Sequence, residues 1–227
     1  MGRETCRNTS LKLKGKGTGV VQLGDGELSF PDADGSANQV LKTNGSGALS
    51  FTTPASGGAW SLIASSTYPA AVTWTLAGMD STYDVYCFSF SGVTIANDNN
   101  SIFLRVGDSG GIKTDANYNY NISKNGTVGA THDAGVGTSD TKAGPLFNDA
   151  GNAAGENGSG VLWIHRTGNN CNINGTITYQ KATPIIQTGY CGIWYNASSF
   201  AVTQVQLLST TGNFTSGRMT LWGIAHA

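Results

Sequence analysis

Charged residues are scarce in this chain of 227 residues, at 12% of the total, and the 13 basic side chains nearly balance the 14 acidic ones. Such a balance provides no electrostatic field for gripping phosphate groups, so the composition argues against nucleic acid as a partner. No run of 18 apolar residues is present, which argues against insertion into a membrane. We also expect no signal peptide, because no apolar segment follows the basic residues near the N-terminus.

Residues that favour helices are also in short supply. Gly, Asn, Ser and Thr, which are poor helix formers, make up about 43% of the chain. Ordinary disorder is disfavoured as well, because 39% of the residues are hydrophobic and the net charge is only -1. The composition therefore predicts an all-β protein that is rich in loops.

Cysteine is limited to four residues, Cys6, Cys87, Cys171 and Cys191, and no C-x-x-C pair occurs among them. This spacing argues against a zinc site. Cys87 lies in an apolar run and is expected to be a small core residue. Cys171 and Cys191 could form a disulfide if their strands are neighbours, which the sequence leaves open. We expect neither a metal ion nor another cofactor.

The composition changes near residue 59, which predicts two modules. Eleven charged residues fall in the first 59 positions and 16 in the remaining 168, whereas all Trp and Tyr residues follow position 59. Within the first module, we interpret residues 1–23 as an attachment segment and residues 24–59 as a stem and linker. Residues 60–227 form the second module, a C-terminal knob.

The stem prediction depends on a short internal repeat. The pattern G-x-G-x-L-S-F occurs at residues 24–30 and returns at residues 45–51, with a strong turn signal at residues 31–35. One such unit has too few apolar side chains to bury a core alone, so we expect copies from other chains to close around a common axis. A flexible linker is the alternative, but linkers need no register. The side chains predicted at this shared axis are Leu28, Phe30, Val40, Leu41, Leu49 and Phe51.

The second module predicts many short strands between turn clusters, which is typical of a β-sandwich or jelly roll. The strands are expected at residues 60–64, 71–76, 83–91, 102–106, 118–122, 160–166, 172–179, 189–195, 202–208 and 218–224. Two of them, 83–91 and 218–224, are partly apolar on both faces, which indicates packing between a core and a neighbouring subunit. Residues 125–160 are dominated by Gly, Ala, Asn and Asp, and we expect an exposed loop without regular structure there.

The sequence offers little that is typical of an enzyme. No G-x-S-x-G motif is present, and the neighbouring pair His132 and Asp133 is expected to be a solvated loop feature. Paired carboxylates for glycan cleavage cannot be told apart from turn residues. We therefore expect a protein without catalytic activity.

Binding of a neutral ligand fits the sequence better than catalysis does. Tyr118 and Tyr120 alternate with asparagines, and Trp194 and Tyr195 precede Asn196. Aromatic rings beside amide groups are suited to sugars, because the rings pack on C–H faces while the amides bond to hydroxyl groups. Packing in the core or between subunits is the alternative interpretation of these rings. The predicted ligand contacts are Tyr118, Tyr120, His132, Asp133, Trp194 and Tyr195.

Residues 28–51, with the sequence LSFPDADGSANQVLKTNGSGALSF, resemble the shaft repeats of tailed-bacteriophage fibre proteins. Residues 60–227, ending in GRMTLWGI at 217–224, are similar to the trimeric jelly-roll heads of such fibres. The resemblance implies a virion-associated homotrimer. Residues 1–23 would dock on another virion protein, and the knob would recognise a glycan or protein on the host surface.

The shortness of the stem leaves several assignments open. A tail fibre, a short spike, a head or collar fibre and an adaptor without a receptor role are all compatible with only two repeat copies. A cellular lectin-like or complement-type trimeric head is a further alternative, which the lack of a collagen-like G-x-y period disfavours. A polysaccharide depolymerase is the alternative from the enzyme class.

Overall fold

The computed structural model describes residues 22–23, 28–31, 33–54, 59–126, 132–167, 170–182 and 185–225. The chain divides into two compact units, Met1–Gly57 and Gly58–Ala227, next to the change in composition near residue 59. All regular elements of the described residues are β-strands, as the composition predicts. Among these residues there is no helix of the length and apolar character needed to cross a membrane.

In the N-terminal unit the described residues form four short strands, which bring the two repeat copies together. The strands are β1 (Gln22–Leu23), β2 (Leu28–Ser29), β3 (Val40–Thr43) and β4 (Leu49–Thr52), and they pair as β1 with β2 and β3 with β4. Ser29, in the first copy, donates its backbone N–H to the carbonyl oxygen of Gly47, in the second, at 2.7 Å. The repeat is therefore a structural unit in which the copies lie side by side.

Apolar side chains of the N-terminal unit remain accessible on the single chain. Val40 and Leu41 are 48% and 45% exposed, and as strand neighbours they point to opposite faces of the hairpin. Phe30, Leu49 and Phe51 are half-buried. The backbone of Leu28 lies in β2, but its side chain falls outside the described part of the structure. The unit thus leaves part of the predicted stem core uncovered.

The described residues of the C-terminal unit form thirteen strands. They are β5 (Trp60–Thr67), β6 (Thr73–Ala77), β7 (Val85–Ile95), β8 (Asn100–Asp108), β9 (Gly111–Ile112), β10 (Tyr118–Gly126), β11 (His132–Asp140), β12 (Ala143–Ala150), β13 (Asn157–Thr167), β14 (Asn170–Ala182), β15 (Ile185–Asn196), β16 (Gln204–Ser209) and β17 (Phe214–Ile224). All ten strands predicted for this module coincide with strands of the structure. The three additional strands are β9, β11 and β12.

These strands form two antiparallel sheets. The large sheet has eight strands in the order β11-β10-β15-β14-β13-β7-β17-β5, and the small sheet has the order β12-β8-β16-β6, with β9 paired to β8. Inward side chains of both sheets, such as Phe88 from the large sheet and Leu104 and Leu207 from the small one, belong to one buried cluster. The predicted all-β sandwich is therefore confirmed.

The prediction of an exposed, irregular loop at residues 125–160 is wrong. The described part of this segment forms β11, β12 and the start of β13, and Leu146 and Phe147 are fully buried. Three of the glycines that suggested a loop, Gly137, Gly158 and Gly160, are instead places where rings pack. A Cβ at Gly158 would overlap the ring of Phe147, and one at Gly137 would overlap the ring of Tyr120.

The cysteines of the C-terminal unit are buried and unbridged. Cys171 on β14 and Cys191 on β15 do lie on neighbouring strands, which the sequence left open. The register, however, places Cys171 opposite Tyr195 and Cys191 opposite Gly175, so the two thiols are not paired. Burial raises the pKa of each of these two thiols to about 12. Cys87 is only 2% exposed, which fits its prediction as a small buried residue.

Candidate functional site

The outer face of the large sheet presents two exposed aromatic rings on β15. This strand alternates between buried and exposed residues along its length. Its outward side chains include Tyr190, 66% exposed, and Trp194, 42% exposed, with Gly192 between them. Because alternate residues of a strand share a face, the two rings flank a glycine that has no side chain to fill the space.

Amide side chains lie on both sides of this row. Trp194 is paired with Asn119 of β10 and with Asn172 of β14, while Gly192 is paired with Asn121 and Asn174 of the same two strands. Directly paired residues of an antiparallel sheet point to the same face, so four asparagines border the aromatic row. Each amide can both donate and accept hydrogen bonds. We call this surface, formed by Tyr190, Gly192, Trp194, Asn119, Asn121, Asn172 and Asn174, the aromatic–amide face.

An open groove of about 440 Å³ lies on the aromatic–amide face beside Trp194. Gly192 forms part of its floor, and a Cβ placed there would have no atom nearer than 4.0 Å, the backbone oxygen of Asn121. The floor therefore has room for an added side chain. Gly192 is not required for packing, which makes the groove accessible to a designed blocking substitution.

A hydrogen bond of 2.9 Å joins Nε2 of His165 on β13 to Oδ1 of Asn174. The bond occupies the carbonyl side of this amide, so the Nδ2 group of Asn174 is left to donate elsewhere. His165 is itself paired with Asn172, the amide opposite Trp194. One imidazole thus orients an amide of the aromatic–amide face.

Two of the predicted ligand contacts lie in the core. Tyr118 and Tyr195 are 0% and 1% exposed, and their ring centroids are 4.9 Å apart. The Tyr195 hydroxyl donates to Asp115 at 2.7 Å, and burial raises the pKa of Tyr195 to about 12. Burial also raises the pKa of Tyr118. Neither ring has a free face, so these two tyrosines stabilise the sandwich and offer no surface for stacking.

The other predicted contacts are distributed differently. Tyr120 is partly buried and packs against the core, and burial together with a hydrogen bond to Asp140 raises its pKa to about 12. His132 and Asp133 lie in β11, but their side chains are outside the described part of the structure. Trp194, the remaining predicted aromatic contact, lies exposed on the aromatic–amide face.

The sequence interpretation missed Tyr190, Gly192, Asn172 and Asn174. The signal that identifies them is the period of two along β15 and β14. In the stretch Tyr190-x-Gly192-x-Trp194, every second residue faces outward and the residues between them are buried. Asn172 and Asn174 show the same alternation against the buried Ile173. Applying this period would have separated Trp194 from its buried neighbour Tyr195.

An apolar patch lies on the same outer face, formed by residues of β5, β13 and β17. Trp60 contacts two further tryptophans, with ring centroids 5.4 Å from Trp163 and 6.5 Å from Trp222. Trp60 and Leu62 are 46% and 58% exposed. Cys87 lies between Trp163 and Trp222 in the register of the sheet. We call Trp60, Leu62, Trp163 and Trp222 the tryptophan patch. Cys87 lies in the predicted strand 83–91 and Trp222 in the predicted strand 218–224. These are the two strands that the sequence predicts to be partly apolar on both faces.

Within the described residues, no group of three or more His, Cys, Asp or Glu side chains is arranged to hold a metal ion. Comparison of the chain with protein-family models finds no match, and a search of curated proteins finds no significant relative.

Proposed function

We propose that this chain is a structural fibre or spike protein of a tailed-phage virion, which recognises a host-surface glycan through the aromatic–amide face of its C-terminal unit. The observation that carries this proposal is the row of Tyr190, Gly192 and Trp194, bordered by asparagines. The resemblance of residues 28–51 to phage shaft repeats supports the assignment to a fibre.

A sugar is the ligand that this surface suits best. The exposed ring of Trp194 offers an apolar face to sugar C–H groups, and the amides of Asn119 and Asn172 on either side offer donors and acceptors to hydroxyl groups. No charged side chain is needed for this contact. The exposure of Tyr190 on the same face extends the stacking surface along β15.

The exposed apolar residues of both units support a homotrimer. In the N-terminal unit these are Val40 and Leu41, and in the C-terminal unit they belong to the tryptophan patch. The tryptophan patch is contiguous, and contiguous exposed apolar surface is typical of an interaction site. We propose that three copies bury these groups against one another and that residues 1–23 dock on another virion protein. Attachment at that end would leave the C-terminal unit free to reach a host surface.

The experiment compares adsorption of the intact protein and its variants to an array of bacterial surface polysaccharides. We expect Trp194→Ala and Gly192→Val to weaken binding by about tenfold or more, equivalent to ~1.4 kcal/mol or more. The first removes a stacking ring, and the second fills the floor of the groove. Tyr68→Ala is the matched control, because Tyr68 is 44% exposed and is not part of the aromatic–amide face.

The possible results distinguish recognition at the aromatic–amide face from the alternative functions. Equal binding by Trp194→Ala, Gly192→Val and the unmodified protein would contradict recognition at this face. Absence of binding to every polysaccharide would favour an adaptor or collar protein without a receptor role. Release of reducing ends from a bound polysaccharide would favour a depolymerase, whereas we propose binding without bond cleavage.

A further inference from the structure

A second open groove, of about 380 Å³, lies on the outer face of the large sheet, among strands β7, β13, β14 and β17. Six of its lining side chains carry hydroxyl groups, and Phe90, Gly160 and Ile177 also line it. The hydroxyl-bearing residues are Ser89, Ser91, Ser159, Thr176, Thr178 and Thr220. Arg218 is the only charged residue of the lining. We call this depression the Arg218 groove.

The groove coincides with two irregularities in the pairing of β7. Its register with β13 shifts between Gly158 and Gly160, and its register with β17 shifts between Ser216 and Arg218. Such bulges bend a strand and redirect its side chains, and they are frequent beside functional sites. Ser159 stabilises the distorted backbone, since its hydroxyl accepts a hydrogen bond from the N–H of Gly92 at 3.2 Å.

The polar groups of the groove are largely unused by the protein itself. Arg218 is exposed, and among the described residues its side chain makes neither an ion pair nor a hydrogen bond. Within the described residues, the hydroxyl groups of Ser89, Ser91, Thr176 and Thr220 make no side-chain hydrogen bond. The hydroxyl of Thr178, in contrast, is hydrogen-bonded to that of Thr188. A guanidinium group and four hydroxyls are thus available to a ligand at one place.

We propose that the Arg218 groove is a second carbohydrate subsite, which binds a sugar unit carrying a carboxylate. A planar guanidinium matches a carboxylate through two parallel hydrogen bonds, and the surrounding hydroxyls are complementary to the hydroxyls of a sugar ring. This inference rests on the proposed function, because it assigns the class of glycan that the same sheet face recognises.

The register of the sheet connects the two grooves. Thr176 of the Arg218 groove is paired with Tyr190 of the aromatic–amide face. Thr176 also lies four residues along β14 from Asn172, which is ~13 Å at the rise of an extended strand. This separation requires an oligosaccharide that spans several sugar units. The ligand is therefore an acidic oligosaccharide that crosses β14 and stacks on Trp194 with its neutral part.

The test measures binding of the intact protein to an array of uronate-containing, sialylated, sulfated and neutral oligosaccharides. We expect the bound oligosaccharides to carry carboxylates. Arg218→Gln should weaken their binding by about tenfold to a hundredfold, the range for losing a charge-assisted hydrogen bond. Arg218→Lys should restore only part of it, because an ammonium group lacks the planar fork. Lys42→Gln, in the N-terminal unit, removes the same charge and should have no effect.

An oligosaccharide whose carboxyl group has been reduced tests the contribution of the ligand's charge with little change in its shape. Reducing the carboxyl group of a bound oligosaccharide to an alcohol should weaken binding to the unmodified protein as much as Arg218→Gln does, and Arg218→Gln should bind both forms equally. Neutral ligands alone, sulfated ligands alone, or an unchanged affinity of Arg218→Gln would overturn the subsite while leaving the proposed function in place. Binding to no oligosaccharide would overturn both.

Discussion

The ring of Phe147 on β12 occupies the space that a Cβ at Gly158 on β13 would fill. Phe147 belongs to the small sheet and Gly158 to the large one, and both residues are buried. The ring also packs against Phe90 and Tyr179, with centroid distances of 5.8 Å and 4.8 Å. This contact brings the two sheets together in the segment that the sequence suggested was a loop.

Substitution of Gly158 by Ala should destabilise the sandwich. The added methyl group would have to displace a buried ring, and overpacking of this kind costs about 1–3 kcal/mol. Denaturant-induced unfolding measures the effect. Gly192→Ala is the matched control, because it adds the same methyl group to the same sheet where the nearest atom is 4.0 Å away. Equal stability of the two variants would contradict the packing described for Gly158.

Stability should fall at alkaline pH. Burial raises the pKa of Cys171 and of Cys191 from 9.0 to about 12, and raises that of Tyr195 from 10.0 to about 12. The folded state therefore holds these protons more tightly than the unfolded state does. Their contribution to stability is complete below about pH 9 and is lost as the pH rises towards 12.

Unfolding midpoints in urea, measured from pH 8 upwards, test this expectation. Burial also raises the pKa of Cys87. In a triple variant, Cys87→Ala with Cys171→Ala and Cys191→Ala, the decline should therefore begin nearer pH 10, where Tyr195 starts to contribute. A midpoint that stays constant up to pH 11 would mean that these groups are accessible to solvent in the folded protein.

The proposed stem should assemble through Val40 and Leu41. Replacing both by Ser removes apolar side chains that are nearly half exposed on the single chain. The folded unit should therefore lose little stability, whereas a trimer should lose the apolar contact between its chains. Light scattering should give three times 23.5 kDa for the intact protein and a lower mass for the double variant. Ser50→Ala, at an exposed polar position of β4, is the control. A monomeric intact protein would contradict the trimer.

The strands could be predicted from the sequence because strand periodicity is local. Residues such as Tyr86, Phe88 and Phe90 alternate with smaller residues, and this alternation alone places them in the core. The segment containing Phe147 could not be predicted in this way. Its glycines have a packing role that depends on rings distant in sequence, such as the contact of Gly137 with Tyr120.

The candidate site could be predicted only in part for a similar reason. Aromatic residues near asparagines indicated a sugar site, but composition alone does not separate Trp194 from the buried Tyr195. The faces are fixed by the register of β15 between β10 and β14, which places Asn119 and Asn172 beside Trp194. The Arg218 groove depends on bulges in β7, which leave no pattern in the sequence.

The five tryptophans provide the most direct test of recognition at the aromatic–amide face. Each indole N–H gives its own resonance in a ¹H–¹⁵N spectrum, so a titration with a bound oligosaccharide reports on five positions at once. Trp74, 2% exposed in the core, is an internal control. Trp60, Trp163 and Trp222 report on the tryptophan patch.

We expect the Trp194 resonance to shift in proportion to the bound fraction of oligosaccharide, while the resonance of Trp74 stays in place and those of Trp60 and Trp222 change little. Trp163 is not diagnostic, because it is paired with Asn174 of the aromatic–amide face. A titration in which the tryptophan patch shifts and Trp194 does not would contradict recognition at the aromatic–amide face.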